Sequence, residues 1–328
     1  MTPGTETITA IRGVRVGHAT DLRRRTGTTV VLFDRPVPAF ADHRGGWPGS
    51  YDSAASNLGK TFVDRHALFL TGGDIYGYDA GIGIRNFLLD KGLAKPVGGG
   101  VMPMVMGTNI YDLEYADAIG ADYRRFGRRA CEAAGRGPAA QGNVGAGTGA
   151  TVGPFFEVKG GPTGTKGGLG SSAARVGRWT MGALVVTNCV GNVYDPFANE
   201  TIAGARRQDG KGFLGMDDVL GDYLKTSSRR YGTTIGVVGT DAPLDHEQLA
   251  RLVELAHDGI ALAVRPAHMS TDGDTLLGFT TNPPRARRLD WRAFDVVHHV
   301  AVQEVARAAV NGVRAARSLG GVPGFKDL

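Results

Sequence analysis

Short apolar runs separated by glycine-rich turns fill the first third of the chain. Residues 14–16, 28–33 and 67–71 carry β-type patterns, and 80–91 keeps helical spacing. A second helix is expected over 115–134, ahead of a polar, glycine-rich stretch from 135 to 170. Residues 181–186 then read as a strong strand ending in Thr187, Asn188 and Cys189. A polar, charged connector runs from 206 to 232, with one short helix expected at 216–224. Beyond it, Thr233-Thr234-Ile235-Gly236-Val237-Val238 starts abruptly as a buried strand. Asp245 and Gln248 form a capping box for a helix whose Leu249, Leu252, Val253, Ala256 and Ile260 share a face. A strand at 275–280 leads to a last helix over 291–318, striped by Phe294, Val297, Ala301, Val305 and Ala308. The alternation is that of a mixed α/β protein without internal repeats.

Composition narrows the class. With 328 residues, 42% hydrophobic and 21% charged, the chain can bury the core of one large domain, 1–328. Its 51 glycines show no collagen period and indicate tight turns and close backbone approaches. Cys131 and Cys189 lie far apart, suggesting neither a disulfide framework nor a zinc site. The net charge of +5 is spread among interleaved acids, so a nucleic-acid partner is not expected. Arg124, Arg125, Arg128 and Arg129, the densest basic group, read as a solvated face or subunit contact. No long apolar run or secretory leader is seen, which leads to the expectation of a cytoplasmic protein with no membrane partner.

Several familiar chemistries are excluded by context. Gly145, Gly147 and Ala150 fit a loose dinucleotide fingerprint, but no strand precedes them and no acidic ribose partner follows. His298 and His299 are adjacent on a helix and cannot share one face, so no metal pair is expected there. No cofactor is implied.

Eight motifs, in order, carry a resemblance. They are GVRVGHATD (13–21), RGGWPGS (44–50), LTGGDIYGYDAGIG (70–83), GNVGAGTGATVG (142–153), KGGLGSS (166–172), VVTNCVGNVYDP (185–196), YGTTIGVVGTDAPL (231–244) and DGDT (272–275). Together they resemble the self-processing aminopeptidase family of L-aminopeptidase/D-Ala-esterase/amidase, β-peptidyl aminopeptidases and nylon-oligomer (6-aminohexanoate oligomer) hydrolases. The resemblance implies a four-layer αββα sandwich and an amide hydrolase with an N-terminal nucleophile. It also implies autocleavage between Gly232 and Thr233, giving an α subunit of 1–232 and a β subunit of 233–328, assembled as a homotetramer of αβ heterodimers.

By propensity alone the strand at Thr233 is an ordinary sheet element. The chemistry nonetheless suits the resemblance: a threonine hydroxyl needs a base, and a freed α-amine, with an ordinary pKa of about 8, supplies one on the same residue. Gly232 tolerates strained backbone and leaves its carbonyl open to attack. By resemblance Asp272 and Asp274 lie against the nucleophile, where one orients the amine or hydroxyl and the other tunes it by like-charge coupling; without it they read as a turn and strand cap. Asn188 matches the family's oxyanion donor and Tyr111 a tyrosine at the same site or the leaving amine. Lys166 corresponds to a lysine of the aminopeptidase branch, whereas the nylon branch places its lysine where Pro154 stands. Arg44 and Trp47 belong to a candidate substrate rim loop.

Paired aspartates and a threonine nucleophile are similar to the nylon-hydrolase branch, while Gly232 is similar to the aminopeptidase branch. The substrate is therefore a peptide or peptide-like oligoamide, with exo and endo action both open. An N-acyltransferase of the ornithine acetyltransferase type is the alternative enzyme class, distinguished by transfer to an amine rather than water. A binding protein on a decayed hydrolase scaffold is the non-enzymatic one, and the filled catalytic positions argue against it.

Overall fold

Period-two burial sets the architecture of this computed structural model, which describes residues 6–153, 157–158, 161–162, 164–207, 209–223, 231–283 and 288–328. The main strands are β1 (Val14–Asp21), β2 (Thr26–His43), β3 (Asp64–Thr71), β4 (Val105–Asn109), β5 (Gly168–Val176), β6 (Trp179–Asn188), β7 (Thr233–Thr240) and β8 (Thr275–Thr280). Val31 and Phe33 of β2 enter one apolar cluster, Val30 and Leu32 another. β6 divides Leu184 and Val186 from Ala183 and Val185 in the same way. A strand buried on both faces requires a layer above and one below.

Helices supply the outer layers. The helices are α1 (Asp79–Asp90), α2 (Tyr123–Glu132), α3 (Met216–Tyr223), α4 (His246–Ala263) and α5 (Trp291–Ala315). Val253, Ile260, Phe294 and Val305 of α4 and α5 pack on β6, β7 and β8. Ile84, Phe87 and Phe126 of α1 and α2 pack on β2, β3 and β4. Between the two sheets lie Val31, Leu70, Val186, Ile235, Leu277 and Phe279, completing the expected αββα sandwich.

The strand order is β5-β6-β7-β8-β2-β3-β4, with β1 also on β2. The 18-residue β2 belongs to both sheets: Ala39–His43 pairs with β8, and Thr28–Leu32 with β3. Its pattern suggested only residues 28–33, because Pro36 and Pro38 interrupt the run and the register shifts between Leu32 and Val37. The helix expected at 115–134 starts only at Tyr123, where the Asp122 carboxylate caps it by accepting from Arg125 N–H at 3.0 Å. Asp245 caps α4 as its spacing suggested, accepting from Gln248 N–H at 2.8 Å. Among the described residues no helix is long and apolar enough to cross a membrane.

Topology brings three segments together. β7 and β8 are parallel neighbours that begin at the same end of the sheet, and antiparallel β6 finishes there, with Asn188 directly opposite Thr233. The head of β7, the tail of β6 and the turn into β8 therefore converge.

Candidate active site

Thr233 is 4% exposed at the first position of β7. Its Oγ lies 2.5 Å from the carbonyl oxygen of Gly232, which also accepts a hydrogen bond from Gly273 N–H at 3.0 Å. A backbone donor thus already polarises the carbonyl next to the hydroxyl. Gly232 is required here by packing rather than by an unusual backbone angle. A side chain would begin 2.5 Å from Val190 N and 2.7 Å from Asp272 Oδ1.

Both turn carboxylates are 1% exposed. Asp274 Oδ1 accepts from Thr234 N–H at 2.6 Å, the residue after the candidate nucleophile. Its Oδ2 accepts from the backbone N–H of His268 at 3.0 Å and faces His268 Nδ1 at 2.7 Å. Asp272 Oδ2 accepts from Met269 N–H at 2.9 Å, and Oδ1 makes no well-formed hydrogen bond. Burial, and then the charge of Asp274, push the Asp272 carboxyl well above its ordinary range; the amides of Met269 and Val190 and His268 temper the rise. The rim loop is stitched to this turn, with Arg44 and Gly45 N–H donating to Asp274 O and Trp47 N–H to Asp272 O. Gly45 permits the approach, since a side chain there would begin 2.2 Å from Asp272 O.

Asn188 is fixed in orientation. Its Oδ1 accepts from Thr151 N–H at 2.9 Å, so Nδ2 faces the Tyr111 carbonyl at 2.8 Å and retains a second hydrogen. Directly opposite residues of an antiparallel pair share a sheet face, which places this amide on the same face as the Thr233 side chain. Tyr111, Trp47 and Tyr231 form an aromatic run, with ring centroids 5.1 Å apart for Tyr111–Tyr231 and 5.3 Å for Trp47–Tyr231. They line a cavity of about 220 Å³ together with Thr233, Gly232, Asn109 and Asp74. A larger cleft of about 850 Å³ opens among Arg12, Arg35, Arg178 and Asp241, and none of the proposed catalytic residues lines it.

Two expected residues face elsewhere. The Arg44 guanidinium turns from the cavity to Asp42 Oδ2 at 2.5 Å and Glu254 O at 3.3 Å, because the carboxylate two residues back captures it. Only the Arg44 backbone serves the site. Lys166 is fully buried, and its Nζ donates to the carbonyls of Ala150, Gly147 and Gly167 and sits 5.4 Å from the Tyr115 ring centre. Burial lowers its pKa to about 7, partly opposed by Asp112. Lys166 pairs with Thr151, whose N–H holds Asn188, so it braces the loop behind the candidate oxyanion donor. Pro154 lies outside the described residues. The glycine run 142–153, set aside as a dinucleotide loop, forms a buried 3-10 turn at Gly145–Thr148 before reaching Thr151.

The sequence reading passed over Asp74, Tyr231, His268 and Gly273. Asp74 is a non-glycine residue at φ +50, next to Gly73 at φ +84; an acid directly after paired glycines was the available signal. Tyr231 and Gly273 lay inside quoted motifs, and His268 only four residues before Asp272.

A helix-covered double sheet with a buried hydroxyl, two carboxylates and an amide at one strand end defines a hydrolase-type site on an αββα scaffold. The sequence profile of peptidase family S58 matches residues 6–326, and the chain belongs to that family, making it an amide-bond hydrolase. It is 31% identical over 360 residues to an uncharacterised aminopeptidase of Mycobacterium bovis, covering 98% of this chain and 97% of that one. It is 28% identical over 276 residues to a 6-aminohexanoate-oligomer endohydrolase of Kocuria sp., covering 82% and 73%. Among solved structures, a β-aminopeptidase of Burkholderia sp. superposes with a TM-score of 0.69 at 24% identity, covering 99% of this chain and 92% of that one. The L-aminopeptidase D-Ala-esterase/amidase of Ochrobactrum anthropi, described as a variant of the Ntn hydrolase fold, gives 0.71 at 22%, covering 99% and 91%.

Proposed function

We propose that this protein cuts itself between Gly232 and Thr233 and then, with Thr233 as nucleophile, removes residues from the amino end of peptide-like amides. The observation that supports this most is the Thr233 hydroxyl lying against the Gly232 carbonyl while Gly273 N–H polarises it. Attack of Oγ on the Gly232 carbon forms an ester as the C–N bond breaks, and water then releases the Gly232 carboxylate and a free Thr233 amine. In turnover that amine takes the Oγ proton, Oγ acylates on the substrate carbonyl, and the proton leaves with the departing amine; water hydrolyses the ester. The second hydrogen of Asn188 Nδ2 is the donor proposed for the tetrahedral oxygen. In this reading Tyr111 borders the leaving amine, Trp47 forms the rim, Lys166 braces the loop behind Asn188, and the αβ units assemble as a homotetramer.

Exo action is favoured over endo action by Asp74. Its half-buried carboxylate lines the cavity, where Asn109 Nδ2 donates to it at 3.3 Å. No lysine or arginine among the described residues pairs with it, and burial raises its pKa. A negative group in an aromatic-walled cavity suits a substrate's terminal ammonium, which would enter the space that Tyr231 occupies before cleavage.

Denaturing mass spectrometry of the purified protein should show fragments 1–232 and 233–328; an intact chain that still hydrolyses amides would remove Thr233 from the mechanism. For Asp74→Asn, which keeps a side chain suited to this backbone region, kcat/KM on substrates with a free terminal amine should fall about 10- to 100-fold. N-acetylated substrates should lose far less. Equal losses on both would assign Asp74 to structure and return endo action to the fore.

A further inference from the structure

The hydrogen bonding of the two turn carboxylates is unequal. Asp274 takes three donors, with Thr234 N–H on Oδ1 and two groups of His268 on Oδ2. Asp272 has Met269 N–H on Oδ2, while its buried Oδ1, beside Gly232, makes no well-formed hydrogen bond and has only the loosely placed Val190 amide near it. A carboxylate that accepts more and better-formed hydrogen bonds resists protonation, and one that accepts fewer takes up a proton more readily. The difference between them comes from His268.

His268 is well held for that task. It sits at φ +59, a backbone region costly for a non-glycine residue, and this turns both its N–H and its Nδ1 toward the same Asp274 oxygen. The backbone N–H of His268 donates to the same oxygen that Nδ1 faces, and a carboxylate oxygen accepts from Nδ1 when that nitrogen carries hydrogen. On its other side the ring packs edge-on against His257 of α4, with centroids 5.1 Å apart. His257 is 2% exposed, and burial, then the neighbouring His268, lower its pKa. Its Nε2 faces Asp42 O at 3.2 Å, and Asp42 is in turn paired with Arg44. From the residue just after β6 comes the Cys189 thiol, whose pKa is raised by burial and then by both carboxylates. Among the described residues, His268, His257, Asp42, Arg44 and Cys189 are thus ionisable groups around the pair.

We propose that His268 is a positioning residue that keeps the proton off Asp274, making Asp272 Oδ1 the one oxygen of the pair at which a proton is taken up and released. The inference rests on Thr233 being the nucleophile. During self-cleavage, before any α-amine exists, Asp272 Oδ1 receives the Thr233 hydroxyl proton as the Oγ–C bond forms. It returns the proton to the Thr233 nitrogen as the C–N bond breaks, so the carboxylate ends as it began.

The pH dependence of the self-cleavage rate of wild type, His268→Ala and His268→Gln, followed by denaturing mass spectrometry, tests this. With Ala, Asp274 loses a donor and competes for the proton, so the pair titrates higher and the acid limb should move up by about one pH unit. Gln, which restores a donor, should move it back. A limb unmoved in His268→Ala while only the plateau falls would overturn the inference and leave His268 a packing contact. Should the Ala protein fail to fold, 15N-histidine NMR of the wild type decides: Nδ1 of His268 must be protonated through the active pH range, and a ring protonated at Nε2 alone overturns the assignment. A wild-type protein that neither cuts itself nor hydrolyses amides instead sinks the Thr233 reading, and the NMR measurement still judges the His268 contact.

Discussion

Thr233→Ala should leave one uncut chain of 328 residues with amide turnover reduced by about 10⁴-fold or more. The substitution removes one hydroxyl and one methyl from a 4% exposed position, a loss on the order of 1 kcal/mol that a domain with three apolar layers can absorb. The loss of activity would therefore be chemical rather than a failure to fold, and a thermal melt within a few degrees of wild type would show it. Without Oγ, the polarised Gly232 carbonyl has no neighbouring nucleophile, and the amine that serves as base in turnover is never released. Thr233→Ser keeps the hydroxyl and should still be cut. Cleavage or turnover persisting in the Ala protein would move the chemistry to another residue.

How far these roles can be read from sequence depends on whether their partners are local. Thr233, Asp272 and Asp274 lie in unbroken motifs, and one strand pairing makes them neighbours. Their proximity was therefore legible by resemblance. Asp74 becomes meaningful only when a 3-10 turn and the end of β4 bring it beside Asn109 and the aromatic cavity. The tie of His268 to Asp274 is short-range, yet the wall behind its ring comes from α4, eleven residues earlier in the chain. Arg44 shows the reverse case: position on the rim loop was right, but Asp42 decides where its side chain goes. The fold was more legible than the site, because strands buried on both faces and striped helices advertise layers without reference to distant partners. Where a proline pair broke β2, or a capping Asp122 delayed α2, local pattern misjudged the boundary.

Asp274→Asn separates the two carboxylates most sharply. Three donors converge on Asp274, and an asparagine has one acceptor oxygen and one donor group. If its oxygen meets Thr234 N–H, its NH₂ confronts the backbone N–H of His268; if reversed, it confronts Thr234 N–H. Either way one buried backbone donor is left unpaired, at about 1–3 kcal/mol, and the residue after the nucleophile or the histidine loop must shift. Maturation and turnover should both slow by about 10²- to 10⁴-fold, followed by a mass-spectrometric time course and by kcat. The pH profile carries a further sign: without the Asp274 charge, Asp272 no longer faces a like charge, its proton affinity falls, and the acid limb of any residual activity should move to lower pH. That shift is opposite to the one expected for His268→Ala, so the two variants together distinguish loss of a charge from loss of its donor. Near-normal rates in Asp274→Asn would reduce the turn to a strand cap and leave Asp272 to act alone.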